Sequence, residues 1–176
     1  MKSFTILIIA FIVLSYLFVA GCTQSSTSVQ YRDDELINAI FNSEDKLITI
    51  MNNAGSHANN QEWAEMKIDS QNLESEARAQ YDNIDKITPI SPDLTTAKQK
   101  YLTALGYIEE GGRIGQQVAD AGLRGNISEV ENLGYNLTKT AREAANYFDQ
   151  TNDALPERYK SGLESTSIVT AVKTSA

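Results

Sequence analysis

The fold is decided by residues 63–87, which read WAEMKIDSQNLESEARAQYDNIDKI. Apolar or small side chains recur in this stretch at intervals of three and four residues, which places them on one face of an α-helix. The stripe consists of Trp63, Met66, Ser70, Leu73, Ala77, Tyr81, Ile84 and Ile87. The pattern predicts an amphipathic helix of about 27 residues that packs against other helices.

Three further stretches, one before and two after this segment, have the same periodicity. They show almost none of the alternation that is typical of strands. The first contains Leu36, Ile37, Ile40, Phe41, Leu47, Ile48 and Met51; the third contains Leu94, Ala97, Tyr101, Ala104, Ile108, Gly111, Gly115 and Val118; the fourth contains Ile127, Val130, Gly134, Leu137, Ala141, Ala144 and Phe148. The sequence therefore predicts an all-α fold with four long helices.

Short connections separate these helices. The asparagine-rich residues 53–60 predict a turn after the first helix. Pro89 prevents the second helix from continuing, and Ser91 followed by Pro92 is typical of a helix start. Because short connections make consecutive helices run in opposite directions, we expect an antiparallel up-down four-helix bundle.

The start of the chain has the features of an export signal. A basic beginning and an apolar run over residues 4–19 lead to Val19-Ala20-Gly21-Cys22, and Cys22 is the only cysteine. This order resembles the signal sequence and lipobox of prokaryotic lipoproteins, bacterial or archaeal, and the resemblance covers the first 22 residues only. It implies that Val19, Ala20 and Gly21 form the signal cleavage motif and that Cys22 is lipidated.

The expected organisation has four parts. Residues 1–21 are the lipoprotein signal peptide, and residues 22–31 are the lipidated cysteine with a flexible Ser/Thr-rich tether. Residues 32–155 form the bundle, and residues 156–176 form a C-terminal tail. The alternative is that residues 4–20 remain uncleaved as an anchor helix. Either way we expect a membrane-anchored domain on the extracytoplasmic side, at the cell surface or the periplasmic face.

The charge of the chain restricts its partners. It contains 23 acidic and 15 basic residues, for a net charge of −8 at pH 7. An acidic surface repels nucleic acid and anionic lipid headgroups. We therefore expect no nucleic-acid partner, a membrane contact made through the lipid anchor, and a protein partner in the cell envelope.

No pattern in the sequence indicates an enzyme, a metal site or a cofactor. His57 is the only histidine and falls in the predicted first turn, so a histidine-containing di-iron site cannot be assembled. Glu62, Glu65 and Asp69 share one helix face and are typical of a solvated surface. Nucleophile-elbow, phosphate-loop and dinucleotide motifs are missing. We expect a non-enzymatic protein without cofactor or metal.

Glycines within the third helical stretch have two interpretations. Gly111 and Gly115 lie on the inward stripe and would allow close approach to Gly134 on the fourth helix. Alternatively, the segment kinks and opens a ligand cleft. The candidate cleft residues are then Tyr107, Gly111, Arg113 and Gly115.

Two Asn-x-Ser/Thr triplets are candidate glycosylation sites, at Asn126 and Asn136. Asn126 is also followed three residues later by Glu129, as in a capping box that begins the fourth helix. Its predicted position in a turn makes Asn126 the better acceptor of the two.

These observations favour a lipid-anchored binding or interaction module of the cell envelope. A ligand sensor is the alternative function, because membrane-tethered antiparallel four-helix bundles resemble the extracytoplasmic domains of chemoreceptors. Such a sensor would act through a membrane partner.

Overall fold

The computed structural model describes residues 31–160, and this part of the chain contains five helices and no strand. The helices are α1 (Tyr31–Asn60), α2 (Trp63–Asp85), α3 (Pro92–Leu123), α4 (Ile127–Ala154) and the short α5 (Glu157–Lys160). The predicted all-α fold with four long helices is confirmed for this region. The predicted signal peptide, Cys22 and the tether lie outside the described residues.

The long helices pack in the order of the chain. The central helix is α3, which packs against both α2 and α4, whereas α1 packs mainly against α2 and contacts α3 in few places. Ion pairs connect α1 to α2 and α2 to α3. These pairs are Lys46 with Glu76 and His57 with Asp69 between α1 and α2, and Lys67 with Asp120 and Arg78 with Glu109 between α2 and α3.

The predicted apolar stripes form the core. Every member of the stripe on α3 is buried, as expected for the helix that has neighbours on two sides. On α2 the exposed member is Tyr81, whose exposed fraction is 39%, and Trp63 is half-buried. On α4 the exposed member is Ile127, the first residue of the helix, at 52%, and Ala141 is half-buried.

The expected turn over residues 53–60 is wrong, because α1 continues through Asn60. The inward face of the helix extends into this stretch, with Ala54 and Ala58 buried. Polar side chains on the outer face do not end a helix whose other face is covered. The reversal takes place at Gln61, whose φ of 60° is the left-handed conformation that breaks the helical path.

The second helix is shorter than predicted, with 23 residues from Trp63 to Asp85. A lysine of the next helix satisfies the end of α2, because Lys98 Nζ donates to the carbonyl oxygens of Asp85 at 2.6 Å and Ile87 at 2.8 Å. Ile87 stays buried although it lies in the connection. The last apolar residue of the stripe therefore belongs to the core but not to the helix.

The starts of α3 and α4 are where the sequence predicts them. The third helix begins at Pro92 with Ser91 in an extended conformation before it, but the Ser91 hydroxyl makes no capping bond. At α4, Asn126 Oδ1 accepts from the Glu129 amide at 3.3 Å, and Asn126 Nδ2 donates to Glu129 Oε2 at 2.9 Å. This reciprocal pair confirms the predicted cap.

Candidate functional site

An open groove of about 610 Å³ lies between α3 and α4. The residues that line it are spaced by three and four along each helix, so each helix contributes one stripe of its surface. Tyr107, Glu110, Arg113, Ile114 and Gln117 come from α3, and Leu133, Asn136, Lys139, Thr140 and Glu143 come from α4. The groove is thus lined by three apolar or aromatic side chains and by polar side chains that include charges of both signs.

Aromatic packing fixes one end of the groove. The Tyr107 ring stacks on Tyr147 of α4, with centroids 5.6 Å apart and an interplanar angle of 23°. Lys100 Nζ lies 5.5 Å from the centroid of the Tyr147 ring, within the range of a cation–π contact. Tyr107 is half-buried, so part of its ring is accessible to the groove.

On the α3 side of the rim, the charges of Arg113 and Glu110 neutralise each other. Arg113 Nε donates to Glu110 Oε2 at 2.9 Å, and the second guanidinium nitrogen also bonds to this carboxylate. The hydrogen bond and the charge of Glu110 raise the pKa of Arg113. Two parallel bonds of this kind hold a guanidinium in a defined orientation.

The α4 side of the rim carries charges without partners. Lys139 and Glu143 are separated by one helical turn, and neither forms an ion pair within residues 31–160. Lys139 is exposed and Glu143 is half-buried. This side of the groove therefore offers a free ammonium and a free carboxylate to a ligand.

Only two of the four candidate cleft residues lie at the groove. Tyr107 and Arg113 line the groove, whereas Gly111 and Gly115 do not. A Cβ built on Gly111 would meet Leu137 of α4 at 3.8 Å, an ordinary contact distance. Gly115 faces α2 instead, where a Cβ would lie 2.5 Å from Ser70 Oγ. The expected approach of Gly115 to the fourth helix is therefore wrong.

The close helix contact is made between α2 and α3, and its central residue is Gly112. A Cβ on Gly112 would lie 2.7 Å from the Glu74 amide nitrogen and 2.8 Å from the Ser70 carbonyl oxygen. Near the end of α3, a Cβ on Gly122 would lie 2.3 Å from the Trp63 ring. Periodicity alone could not assign these glycines to a partner, because α3 is buried on two sides.

The candidate glycosylation sites have different surroundings. Asn126 is exposed in the turn before α4, but its side-chain amide is used by the cap with Glu129. Asn136 is exposed at the rim of the groove. A glycan on Asn136 would cover part of the groove, whereas a glycan on Asn126 would compete with the cap. Both sites stay predictions.

His57 lies in the last turn of α1 and not in an exposed turn. Its Nδ1 is 2.8 Å from Asp69 Oδ2, and its Nε2 is 3.7 Å from Glu62 Oε2. These contacts join the end of α1 to the start of α2. Over residues 31–160, no group of three or more histidine, cysteine, aspartate or glutamate side chains has the arrangement of a metal site.

Two acidic residues that the sequence analysis did not single out are buried, namely Asp33 and Glu44. Asp33 accepts hydrogen bonds from the segment before α3, and Glu44 lies in the core. Their positions on the inward side of α1, near Leu36 and Leu47 respectively, are the only sequence signal that could have indicated burial.

Comparisons with protein-family models, with curated proteins and with solved structures find no match to this chain. Among the helices of residues 31–160, none is both long enough and apolar enough to cross a membrane.

Proposed function

We propose that this protein is a lipid-anchored, extracytoplasmic binding module of the cell envelope, without enzymatic activity, whose ligand occupies the groove between α3 and α4. Its four long helices form an antiparallel up-down bundle that is joined to Cys22 by the tether. Val19-Ala20-Gly21-Cys22 supports the anchor through its resemblance to a lipobox. The groove, with its ordered tyrosine and unpaired charges, is the observation that carries the binding role.

The charges of the groove suggest the class of ligand. An unpaired ammonium at Lys139 and an unpaired carboxylate at Glu143 complement a ligand that carries both charges. Tyr107 and Ile114 provide apolar contact from the other helix of the groove. A peptide segment with an acidic and a basic group fits this arrangement, because binding sites commonly combine apolar contact with a few oriented polar groups.

The position of the groove fits a ligand in the extracytoplasmic space. The tether enters α1 at the end of the domain where Ser91, just before α3, is bonded to Asp33. The groove centres near Arg113, about 30 Å further along α3 at 1.5 Å per residue. An anchored domain that stands on this end would hold its groove clear of the lipid headgroups.

Site-specific photocrosslinking in cells tests the binding role. A photoreactive residue replaces Gln117 in the groove, and a control protein carries it at Gln71, an exposed glutamine of α2. We expect a discrete crosslinked product from position 117 only, and at least a fivefold loss of that product when Lys139→Glu and Glu143→Lys are combined. Equal products from both positions, or a product that does not respond to the charge reversal, would contradict the proposal.

The anchor has its own test. The intact mass of the protein extracted from membranes is measured beside that of a Cys22→Ala variant. A mass that begins at Cys22 and includes acyl chains, and that is lost in the variant, is the expected result. An unprocessed mass without lipid would instead favour an uncleaved anchor helix over residues 4–20.

A further inference from the structure

The side chain of Glu44, near the middle of α1, lies inside the helical core. The residue is 2% exposed, and its Oε2 atom has no hydrogen-bond partner. The hydroxyl of the preceding residue, Ser43, is also buried and interacts with the Tyr101 hydroxyl. Buried polar atoms are nearly always paired, so the unpaired carboxyl oxygen of Glu44 is unusual.

The core around Glu44 is where three helices meet. Tyr101 of α3 is completely buried, and its hydroxyl donates to the Ile40 carbonyl oxygen of α1 at 3.2 Å. On its other side, the Tyr101 ring lies 5.5 Å from the Phe148 ring of α4. Because α1 contacts α3 in few places, the Tyr101 hydrogen bond is one of the few links between the middle of α1 and α3.

No basic group of the described chain balances a charge at Glu44. The groups that act on it electrostatically are Asp45 on its own helix and the Tyr101 phenol on α3. On the α2 side, the nearby Lys46 is directed outward and pairs with Glu76. Phe148, which α4 contributes to this region, carries no charge.

Burial therefore controls the ionisation of this carboxyl group. Burial first, and repulsion by Asp45 second, raise the pKa of Glu44 well above its ordinary value of 4.5. Burial and the proximity of Glu44 also raise the pKa of Tyr101. In the folded protein Glu44 thus retains its proton over a pH range in which an exposed glutamate is ionised.

We propose that Glu44 is a proton-controlled latch: α1 stays packed against Tyr101 while Glu44 is a neutral carboxylic acid, and the middle of α1 is released when this proton is lost to solvent. The physical reason is that a carboxylate without a counter-ion is unstable in an apolar core and is stabilised by reaching water. Since α1 follows the tether directly, the element that moves is the one joined to the membrane anchor.

The latch makes stability depend on pH with a defined sign. The folded state holds the proton more tightly than the unfolded state. The contribution of protonated Glu44 to the free energy of unfolding is therefore complete below about pH 4.5 and declines as pH rises toward the folded-state pKa of Glu44. For one proton, the opening equilibrium of α1 changes by at most about tenfold per pH unit in this range.

The test is hydrogen exchange of the full-length protein in detergent micelles, between pH 5 and pH 9 and corrected for intrinsic exchange rates. We expect amides of residues 36–51 to lose up to tenfold protection per pH unit while amides of α3 keep theirs. Glu44→Gln should abolish the pH dependence, and Glu35→Gln, at an exposed position of the same helix, should keep it. Tyr101→Phe should also keep the pH dependence, which would show that Glu44 and not the Tyr101 phenol is the titrating group.

A second measurement does not depend on variants. The ¹³C shifts of the glutamate carboxyl groups are followed through a pH titration of the unmodified protein, and one of them should titrate far above the others. The proposal is overturned if all the carboxyl groups titrate near their ordinary value, if Glu44→Gln keeps the pH dependence, or if α1 and α3 lose protection together.

Discussion

Asp33, in the first turn of α1, joins three segments of the chain. Its Oδ1 atom accepts hydrogen bonds from the amides of Ile90 at 2.8 Å and Ser91 at 3.3 Å, and its Oδ2 atom accepts one from the Ser91 hydroxyl. The Arg158 guanidinium lies 3.8 Å away. Burial by itself would raise the pKa of Asp33, but these hydrogen bonds and Arg158 hold it below its ordinary value of 3.8.

Replacement of Asp33 by asparagine should destabilise the protein by about 2 kcal/mol at pH 7, because several bonds to a buried carboxylate are weakened. Because the pKa of Asp33 is lowered in the folded state, its carboxylate contributes fully to the free energy of unfolding above pH 3.8, and this contribution is lost as pH falls through the folded-state pKa. The difference in stability between the Asp33→Asn variant and the wild type should therefore become smaller in acid. Urea unfolding at pH 7 and pH 3 measures both effects. Glu35→Gln, exposed in the same helical turn region, is the control, and an equal loss in both variants would refute the argument.

At the scale of elements, the contact between α2 and α3 depends on small residues. Gly112 and Gly115 let the backbone of α3 approach Ser70 and Glu74 of α2, whereas Gly111 faces α4 with room for a methyl group. Three glycines within five residues therefore differ in whether a larger side chain would fit in their place, although each glycine costs a helix about 1 kcal/mol relative to alanine. Sequence periodicity places all of them near the core but does not distinguish the two interfaces.

Alanine substitutions separate these positions. Gly112→Ala should lower stability by about 1–3 kcal/mol, because backbone atoms obstruct the new methyl group. Gly111→Ala should be neutral or raise stability by up to about 1 kcal/mol, since the methyl group fits and helix propensity improves. Thermal unfolding of the two variants provides the comparison. A stabilising Gly112→Ala would mean that α2 and α3 do not approach as described.

The cap of α4 gives a prediction with an internal control. Asn126→Ala should cost about 1 kcal/mol, because the Glu129 amide loses its acceptor. Asn126→Asp should retain most of the stability, since aspartate also accepts from that amide, although both variants remove the glycosylation triplet. Chemical unfolding of protein made without glycosylation measures the cap alone, and equal losses in the two variants would contradict this role.

At the scale of the whole molecule, much of the fold could be predicted from the sequence. The period of the apolar residues identified four helices, and local chemistry located the starts of α3 at Pro92 and α4 at Ile127. The end of α1 was missed because asparagines on its outer face resemble a turn. The α4 side of the groove was missed because a site between two helices requires their relative rotation, which no local pattern contains.

The packing order predicts an order of local stability. The central α3 has two extensive interfaces, whereas α1 has only one. Amides in the middle of α3 should therefore exchange more slowly with solvent than those in the middle of α1, by at least tenfold at pH 5, where Glu44 is protonated. Hydrogen exchange resolved by residue tests this order. Equal protection of the two helices would show that α1 is as firmly held as α3.

The hydrogen bond from Tyr159 Oη to Asp34, 3.1 Å long, brings the beginning and the end of the described chain together. Position 160 can thus be joined to position 31 by a short peptide, and the exposed reversal at Gln61 offers a place for new termini. Such a circular permutant would keep the same helices and interfaces while moving both termini to the other end of α1. The domain is equally suited to insertion into a surface loop of another protein, because both of its ends leave from one place.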